Sequence, residues 1–241
     1  MGRETLELAQ RAWPDAQLDL YASRDQELEH GGTRFKVAAA ARLEEPSAAR
    51  GDLAFVALDD EHSRRFVPRL LELGYRVIDK SNTYRADPKV VLGVAGVNDE
   101  LLTNDVQLVA NPNCTTIPLM LALGPLLRRF GLSAVTVSTY QAVSGAGIGP
   151  LDQFLVDQQK GYAEPNRLGT QFNAAAYASN TVPHNGGTDD SGYSSEERKL
   201  VFESRKILKL PELPISAQCC RVPVAVGHYE NVWLTLGSPA S

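Results

Sequence analysis

Apolar positions in the first half of the chain alternate between strand-like runs and helix-like periodicity. The continuous apolar run at residues 53–58 is typical of a strand that is buried on both faces. Residues 62–73 instead place their apolar side chains on one side of a helix. Strand patterns follow at 75–79 and 106–110, and the second leads into a helical pattern at 115–130. This alternation predicts βαβ units and a parallel sheet.

Shorter elements precede this region. Residues 3–12 predict a helix, and residues 18–21 predict a short strand. A turn that contains Gly31 and Gly32 separates this strand from a second one at residues 34–40. Both strands are expected to belong to the same domain as the parallel sheet.

The second half has a different organisation. Strand patterns cover residues 134–140, 215–226 and 231–236. Residues 161–192 are rich in Gly, Asn, Ser and Pro, which predicts a loop. A helix is predicted over residues 195–208, with Ser194 or Ser195 as its N-cap ahead of Glu197. Strands with a segregated helix indicate an α+β domain with an antiparallel or mixed sheet.

The change in pattern places a domain boundary near Asn113, which gives domains at residues 1–113 and 114–241. A chain of 241 residues, 43% of them hydrophobic, is large enough to bury a core in one large domain or two small ones. The formal net charge of −5 disfavours nucleic-acid binding through bulk charge. No apolar run approaches the length of a membrane span, and the first residues lack a signal-peptide pattern.

Three cysteines, two of them adjacent as Cys219 and Cys220, do not form a disulfide framework, and we expect a protein of the reducing cytoplasm. The third, Cys114, lies between a predicted buried strand and a predicted helix. The positive end of a helix dipole and its free backbone N–H groups favour a thiolate there. Position alone leaves two possibilities open, a nucleophile and a structural cysteine packed under the helix; Asn113 and the adjacent Thr residues favour the nucleophile.

His228 is a candidate general base, and Arg221 lies seven residues before it. Residues at an odd spacing in a strand alternate faces, so we expect Gly227 to bend the chain and let these two side chains converge. Glu196 and Lys199 are neighbours on their predicted helix, and in isolation such a pair is a surface ion pair.

Further candidates follow predicted strand ends, where ligands bind in open parallel sheets. Arg85 follows one such end, and Ser23 and Arg24 follow another as a candidate phosphate site. Gln141 and the loop Ser144-Gly145-Ala146-Gly147 follow a strand of the second domain. Glycine there permits a close approach of the backbone to a ligand.

Several segments, which follow one another along the chain in the same order as in the family, resemble aspartate-semialdehyde dehydrogenase. NPNCTT at residues 111–116 is similar to its nucleophile motif, and VSTYQAVSGAG at 137–147 matches almost letter for letter. Residues 180–184, SGYSSEERK at 191–199 and ESRKIL at 203–208 resemble its substrate-binding stretch. RVPVAVGH at 221–228 resembles its Arg and His motif. The matches extend across most of the chain.

The resemblance implies an α/β fold: a Rossmann-like, parallel-sheet N-terminal domain that binds NADP, and an α+β catalytic and dimerisation domain of the glyceraldehyde-3-phosphate dehydrogenase type. It implies the reversible NADPH-dependent conversion of aspartyl phosphate to aspartate semialdehyde by a homodimer, a step towards lysine, methionine, threonine and diaminopimelate. It also implies a role for each matching residue. In catalysis, it implies that Cys114 forms the thioester, His228 is the acid and base, and Gln141 orients the intermediate. In substrate binding, it implies that Arg221 binds the carboxylate, Glu196 binds the ammonium, and Arg85 and Lys199 hold the phosphate with Asn113. In cofactor binding, it implies that Ser23 and Arg24 hold the 2′-phosphate of NADP and that Gly2, Ser144 and Gly145 contact the cofactor.

The chain departs from the family pattern near both ends. Relative to that pattern it starts where the glycine-rich cofactor loop ends, with Gly2 as the last glycine, so the first strand is missing. It stops soon after His228, before the family's last strands and C-terminal helix. In addition, Asp59 and Asp60 replace a small, glycine-rich stretch. We therefore expect this polypeptide to bind NADP poorly and to turn over slowly, and tight binding of NADPH in calorimetry would contradict this expectation.

Two alternatives remain beside this reading. N-acetyl-γ-glutamyl-phosphate reductase shares the fold plan, but its cysteine motif has Gly before Cys and an aromatic residue after it, unlike Asn113 and Thr115. A cofactor-poor or inactive homologue that serves as a binding subunit is favoured by the missing loop. It is disfavoured by the retention of Cys114, Gln141 and His228 together with Arg221.

Overall fold

The computed structural model describes residues 2–45, 51–159, 177–178, 180–183 and 187–240. The chain divides into two compact units. The first comprises residues 1–93 and 99–111, and the second comprises residues 94–98 and 112–241. None of the helices within the described ranges combines the length and the apolar composition that crossing a bilayer requires.

Within its described residues, the first unit contains two sheets and two α-helices. Its strands are β1 (Leu20–Ala22), β2 (Gln26–His30), β3 (Thr33–Ala39), β4 (Leu53–Val56), β5 (Arg76–Asp79), β6 (Val91–Leu92) and β7 (Leu108–Ala110), and its helices are α1 (Gly2–Ala12) and α2 (Asp60–Glu72). The order of the small sheet is β1-β3-β2. The second sheet, β4-β5-β7-β6, is parallel throughout, which confirms the prediction of βαβ units. Its core packs Val56, Val77 and the apolar face of α2 together.

Two details of this unit correct the sequence-based predictions. The prediction that residues 53–58 form a strand buried on both faces is wrong, because β4 ends at Val56 and lies at the edge of its sheet. Leu53 and Phe55 are therefore 39% and 37% exposed. The polar strand β2 was not predicted, because its sequence QELEH lacks an apolar face. It forms a hairpin with β3 through Gly31 and Gly32, which both have positive φ.

The second unit is built around one mixed sheet. Its strands are β8 (Leu132–Gln141), β9 (Val182–Pro183), β10 (Ile215–Arg221) and β11 (Tyr229–Leu236), and its helices are α3 (Thr116–Phe130), α4 (Ile148–Gln159) and α5 (Ser195–Leu208). The strand order is β11-β8-β10-β9, with β10 parallel to β8 and β11 antiparallel to it, which confirms the mixed sheet. Helix α5 packs on β10, and α3 packs on α5 and β11.

Helix α5 begins as the sequence indicates, and Ser194 is its N-cap. The Ser194 hydroxyl accepts a hydrogen bond from the Glu197 backbone N–H (3.3 Å), and the Glu197 carboxylate accepts one from the Ser194 N–H (2.7 Å). The alternative cap, Ser195, is the first helical residue. This capping box stabilises the first turn of α5.

The strand predicted at residues 215–226 is too long, because β10 ends at Arg221. The residues that follow bond to the turn after β8 instead: Val143 N–H donates to the Val224 carbonyl and Ser144 N–H to the Ala225 carbonyl. Gly227 then turns the chain with φ +98° into β11. Most of the loop predicted at residues 161–192, including residues 160–176 and 184–186, lies outside the described residues.

Candidate active site

Cys114 lies one residue before the N-cap of α3 and is exposed to solvent. Its Sγ is 3.3 Å from Nε2 of His228 and 3.5 Å from Oδ1 of Asn113. The helix N-terminus and the imidazole both favour the thiolate form of this sulfur. The other two cysteines lack this environment: burial raises the pKa of the Cys219 thiol to about 12 and also raises that of Cys220. Cys114 is thus the thiol that can act as a nucleophile.

The backbone of Ala142 determines which ring nitrogen of His228 carries the proton. Its N–H donates to Nδ1 at 3.0 Å, and because a backbone amide can only donate, Nδ1 must be the acceptor. The proton of the neutral ring is therefore on Nε2, which faces Sγ of Cys114. Burial, and secondarily the Arg221 guanidinium, lower the pKa of His228, while Glu196 acts in the opposite sense. A neutral ring can donate a hydrogen bond from Nε2 to the sulfur or to an oxyanion formed beside it.

Arg221 and His228 converge above Gly145. A Cβ atom placed on Gly145 would lie 2.7 Å from Nη1 of Arg221 and 3.3 Å from Nε2 of His228. Arg221 ends β10 at 7% exposure and donates from Nη1 to the Ala142 carbonyl at 2.8 Å. Ala142 thus holds both side chains, Arg221 through its carbonyl and His228 through its N–H. The expected convergence of Arg221 and His228 therefore occurs. In the structure, these two side chains are what lies close to Gly145.

Gln141 ends β8 beside Arg221, with which it pairs in the parallel register. Its side chain is 1% exposed, and its Nε2 donates to Oγ1 of Thr139 at 3.1 Å. Ser144 follows in the turn Val143–Ala146, where its N–H is bonded to the Ala225 carbonyl. The end of β8 therefore contributes an ordered amide, and the turn after it contributes Gly145.

Glu196 and Lys199 form the expected ion pair, with 2.7 Å between Oε1 and Nζ, but the pair is not a simple surface contact. The side chain of Glu196 is only 17% exposed, and its Oε2 accepts from Nδ2 of Asn113 at 2.7 Å. Asn113 directly precedes Cys114 in the sequence. The ion pair on α5 is therefore connected to Cys114 through one amide side chain.

Two glutamates of this unit, one buried and one partly buried, were not identified from the sequence. Glu203 on α5 is fully buried and accepts from the Asn113 backbone N–H at 2.7 Å. Its spacing of seven residues from Glu196, which places both on one helix face, was the available signal. Glu230 on β11 pairs with Thr139 across the strands, and burial raises its pKa to about 7. Its Oε1 has no hydrogen-bond partner among the described residues.

The remaining candidates lie in the first unit. Arg85 is 8% exposed and donates to the Lys80 carbonyl (3.0 Å) and to Oδ1 of Asn82 (3.1 Å). Ser23 and Arg24 are exposed directly after β1, and Gly2 is the first residue of α1.

Asp59, one of the acidic residues that departs from the family pattern, has a structural role. It is the N-cap of α2, and its Oδ1 accepts from the His62 N–H at 2.9 Å. Across the parts of the chain that the structure describes, no cluster of His, Cys, Asp and Glu is arranged to hold a metal ion.

Comparison with known proteins places these features in a family. Residues 1–105 match the semialdehyde dehydrogenase NAD binding domain, and residues 123–241 match the semialdehyde dehydrogenase dimerisation domain. The aspartate-semialdehyde dehydrogenase of Aquifex aeolicus is 36% identical over 240 residues, which cover 96% of this chain and 69% of that relative. Aspartate-semialdehyde dehydrogenase 2 of Vibrio cholerae is 33% identical, with 99% and 72% coverage.

Solved structures agree with the sequence relatives. The crystal structure of aspartate semialdehyde dehydrogenase II from Vibrio cholerae superposes with a TM-score of 0.87 at 32% identity, covering 99% of this chain and 72% of that one. The same enzyme complexed with ASA gives a TM-score of 0.85 at 31% identity, with the same coverage. The chain therefore belongs to the aspartate-semialdehyde dehydrogenase family.

Proposed function

We propose that this chain catalyses the NADP-dependent reductive dephosphorylation of L-aspartyl-4-phosphate to L-aspartate-4-semialdehyde through a thioester on Cys114, within lysine, methionine and threonine biosynthesis. The observation that carries the proposal is the 3.3 Å contact between Sγ of Cys114 and Nε2 of His228 at the start of α3. Family membership supports the reaction class. The charged side chains around the contact support the substrate.

In the proposed reaction the Cys114 thiolate adds to the acyl carbon of the acyl phosphate, and the phosphate leaves with the bonding electrons of the C–O bond. The product is a thioester. In the reverse direction the thiolate adds to the aldehyde carbon, and the Nε2–H of His228 donates a hydrogen bond to the oxyanion of the thiohemiacetal while the ring stays neutral. His228 suits this role because its Nε2 proton faces the sulfur. Gln141, buried at the end of β8, orients the intermediate.

Substrate recognition in this proposal uses both charge signs, because an aspartyl group carries a carboxylate and an ammonium. Arg221 binds the carboxylate; its Nε is buried and has no hydrogen-bond partner among the described residues, so a donor remains for a ligand. Glu196 binds the ammonium. Lys199, with Asn113, holds the phosphate group, and Arg85 of the first unit is a separate candidate for phosphate binding.

A nicotinamide cofactor, when bound, supplies the hydride that reduces the thioester. The donor set fits NADP at one place: Ser23 and Arg24 present an exposed hydroxyl and an exposed guanidinium directly after β1, and both groups suit a phosphate. Gly2, Ser144 and Gly145 are the further proposed contacts. The sequence-based expectation of weak NADP binding stays a prediction, which calorimetry with NADPH checks.

The proposal includes a homodimer formed through the open face of the β11-β8-β10-β9 sheet. The match to a dimerisation domain supports it, as do the exposed aromatic side chains on this face. Tyr140, Tyr229 and Trp233 are 40%, 65% and 78% exposed, and the two tyrosine rings are 5.7 Å apart. Sedimentation velocity is expected to show a dimer, and Trp233→Glu is expected to give monomers. A monomeric parent chain would contradict this part of the proposal.

The activity is tested by phosphate-dependent reduction of NADP with aspartate semialdehyde. Cys114→Ser is expected to abolish the activity, whereas Cys220→Ser, a cysteine whose Sγ is bonded to the Thr139 carbonyl, serves as the matched control and should retain it. Mass spectrometry of the quenched enzyme should locate the acyl group on Cys114. Turnover of N-acetylglutamate semialdehyde instead, or unchanged turnover in Cys114→Ser, would overturn the proposal.

A further inference from the structure

Asn113 is constrained at almost every polar atom it possesses. Its Oδ1 accepts from the Thr115 N–H (3.0 Å) and the Thr115 hydroxyl (2.9 Å), and it lies 3.5 Å from Sγ of Cys114. Its Nδ2 donates to Glu196 and its backbone N–H donates to Glu203, both at 2.7 Å. Its carbonyl accepts from the Ile117 N–H at 3.2 Å. The residue that precedes the nucleophile is therefore held from two sides, by α3 and by α5.

Of the two glutamates that contact Asn113, Glu203 is the more deeply buried. It is fully buried, whereas Glu196 remains partly accessible. A buried carboxylate carries a desolvation cost of several kcal/mol, which short hydrogen bonds from backbone N–H groups offset. A carboxylate next to the nucleophile also opposes a negative charge on the sulfur. Electrostatics alone therefore gives no reason for a glutamate here, and the reason has to be sought in the position of the groups it holds.

The position that matters is the distance between Sγ of Cys114 and Nε2 of His228. His228 is held from β8 by the Ala142 N–H, while Cys114 is held from the start of α3, so two different elements determine the 3.3 Å between Sγ and Nε2. Glu203 connects the residue before Cys114 to α5, which packs on β10 and hence on the sheet that holds His228. Loss of this connection leaves the start of α3 free to move relative to the imidazole.

We propose that Glu203 is a positioning residue for the nucleophile: its carboxylate fixes the Asn113 backbone so that Sγ of Cys114 stays within reach of Nε2 of His228. This inference deepens the proposed function and rests on it for the catalytic readout. Its second readout, the alkylation of Cys114, is independent of the reaction. The role concerns the acceptor oxygen of Glu203 more than its charge.

Three variants separate this role from general stability. Glu203→Gln keeps an acceptor oxygen and removes the charge, whereas Glu203→Leu keeps similar bulk and removes the acceptor. Glu197→Leu is the matched control, because Glu197 is also buried on α5 but accepts from the Ser194 and Cys219 N–H groups. If Glu203→Leu does not fold, Glu203→Asp takes its place, because it keeps the charge and withdraws the acceptor by one methylene.

The measurement is the rate of Cys114 alkylation by iodoacetamide as a function of pH, together with kcat and KM. Glu203→Leu is expected to shift the alkylation profile towards higher pH and to lower kcat about 10-fold to 100-fold with little change in KM, because small misplacements of reacting groups have costs of this size. Glu203→Gln should stay within about threefold of the parent in kcat, because it retains the hydrogen bond. Glu197→Leu should lower the unfolding temperature without moving the profile.

A shift of the profile towards lower pH in Glu203→Leu would show that removal of charge dominates, and it would overturn the proposal. An unchanged profile, or an equal shift in Glu197→Leu, would overturn it as well. If the parent chain shows no activity with aspartate semialdehyde, the proposed function fails, while the alkylation profiles still decide the role of Glu203.

Discussion

Replacement of Gly145 by alanine tests the geometry of the site with a single methyl group. The backbone of Gly145 lies outside the left-handed region, so alanine fits its conformation, and the effect is steric. The new Cβ would lie 2.7 Å from Nη1 of Arg221 and 3.2 Å from Cε1 of His228. Ordinary contacts between such atoms are about 3.5 to 4 Å. The guanidinium must therefore move by roughly 1 Å and the imidazole by roughly 0.5 Å.

The consequences follow from the bonds that these movements break. A shift of this size removes the 2.8 Å bond from Arg221 to the Ala142 carbonyl, which costs about 1 to 2 kcal/mol of stability. The displaced guanidinium should raise KM for aspartate semialdehyde. The displaced imidazole lengthens the 3.3 Å contact to Cys114. We expect these two displacements together to lower kcat/KM about 100-fold, which is the scale expected when reacting groups move by about 1 Å.

The assay is steady-state kinetics with aspartate semialdehyde, phosphate and NADP, combined with the affinity for NADP from calorimetry. Gly149→Ala is the matched control: this glycine lies in α4 with open space around it, so alanine should leave kcat/KM unchanged and stabilise the helix by up to about 1 kcal/mol. A Gly145→Ala enzyme with the parent kcat/KM would refute the steric reasoning. A loss confined to NADP affinity would show that the effect comes from the proposed cofactor contact of Gly145 and not from the displaced side chains.

Three further predictions concern pH and helix capping. Because the pKa of His228 is lowered, the acid limb of kcat/KM should lie below pH 6.5, and a midpoint above pH 7 would contradict this lowered pKa. Because burial raises the pKa of Glu230 from 4.5 to about 7, the folded protein holds a proton there that the unfolded chain releases, so this contribution to stability is present below pH 4.5 and lost as the pH rises towards 7. The unfolding free energy of Glu230→Gln, relative to that of the parent, should therefore rise by about 1 kcal/mol between pH 5 and pH 8 in urea unfolding, a figure reduced for partial solvent screening. A difference that does not change with pH would exclude this prediction. Ser194→Ala removes the cap of α5 and should lower the unfolding free energy by about 1 kcal/mol, whereas Ser195→Ala, one residue later, should have little effect.

Errors in the sequence-based predictions share one physical cause. Residues 53–58 form an apolar run, and an apolar run does not reveal whether its strand lies at the centre or the edge of a sheet. The polar strand β2 exists because β3 supplies its hydrogen bonds. The overlong strand predicted at 215–226 ends at Arg221 because the next residues bond to the turn after β8. In each case the outcome depended on the neighbouring strand or turn and not on the segment alone.

Features that depend on local periodicity, capping and motif could be predicted from the sequence. These are the parallel and the mixed sheet, helix α5 with a cap at Ser194 or Ser195, and Cys114 and His228 as candidates. The packing of distant elements brings these groups together: Ala142 donates to Nδ1 of His228, Arg221 and His228 lie against Gly145, and Glu203 holds the residue before Cys114. These contacts join elements far apart in the chain. Because hydrogen bonds and steric contacts act over about 3 to 4 Å, they exist only once the sheet and helices have packed.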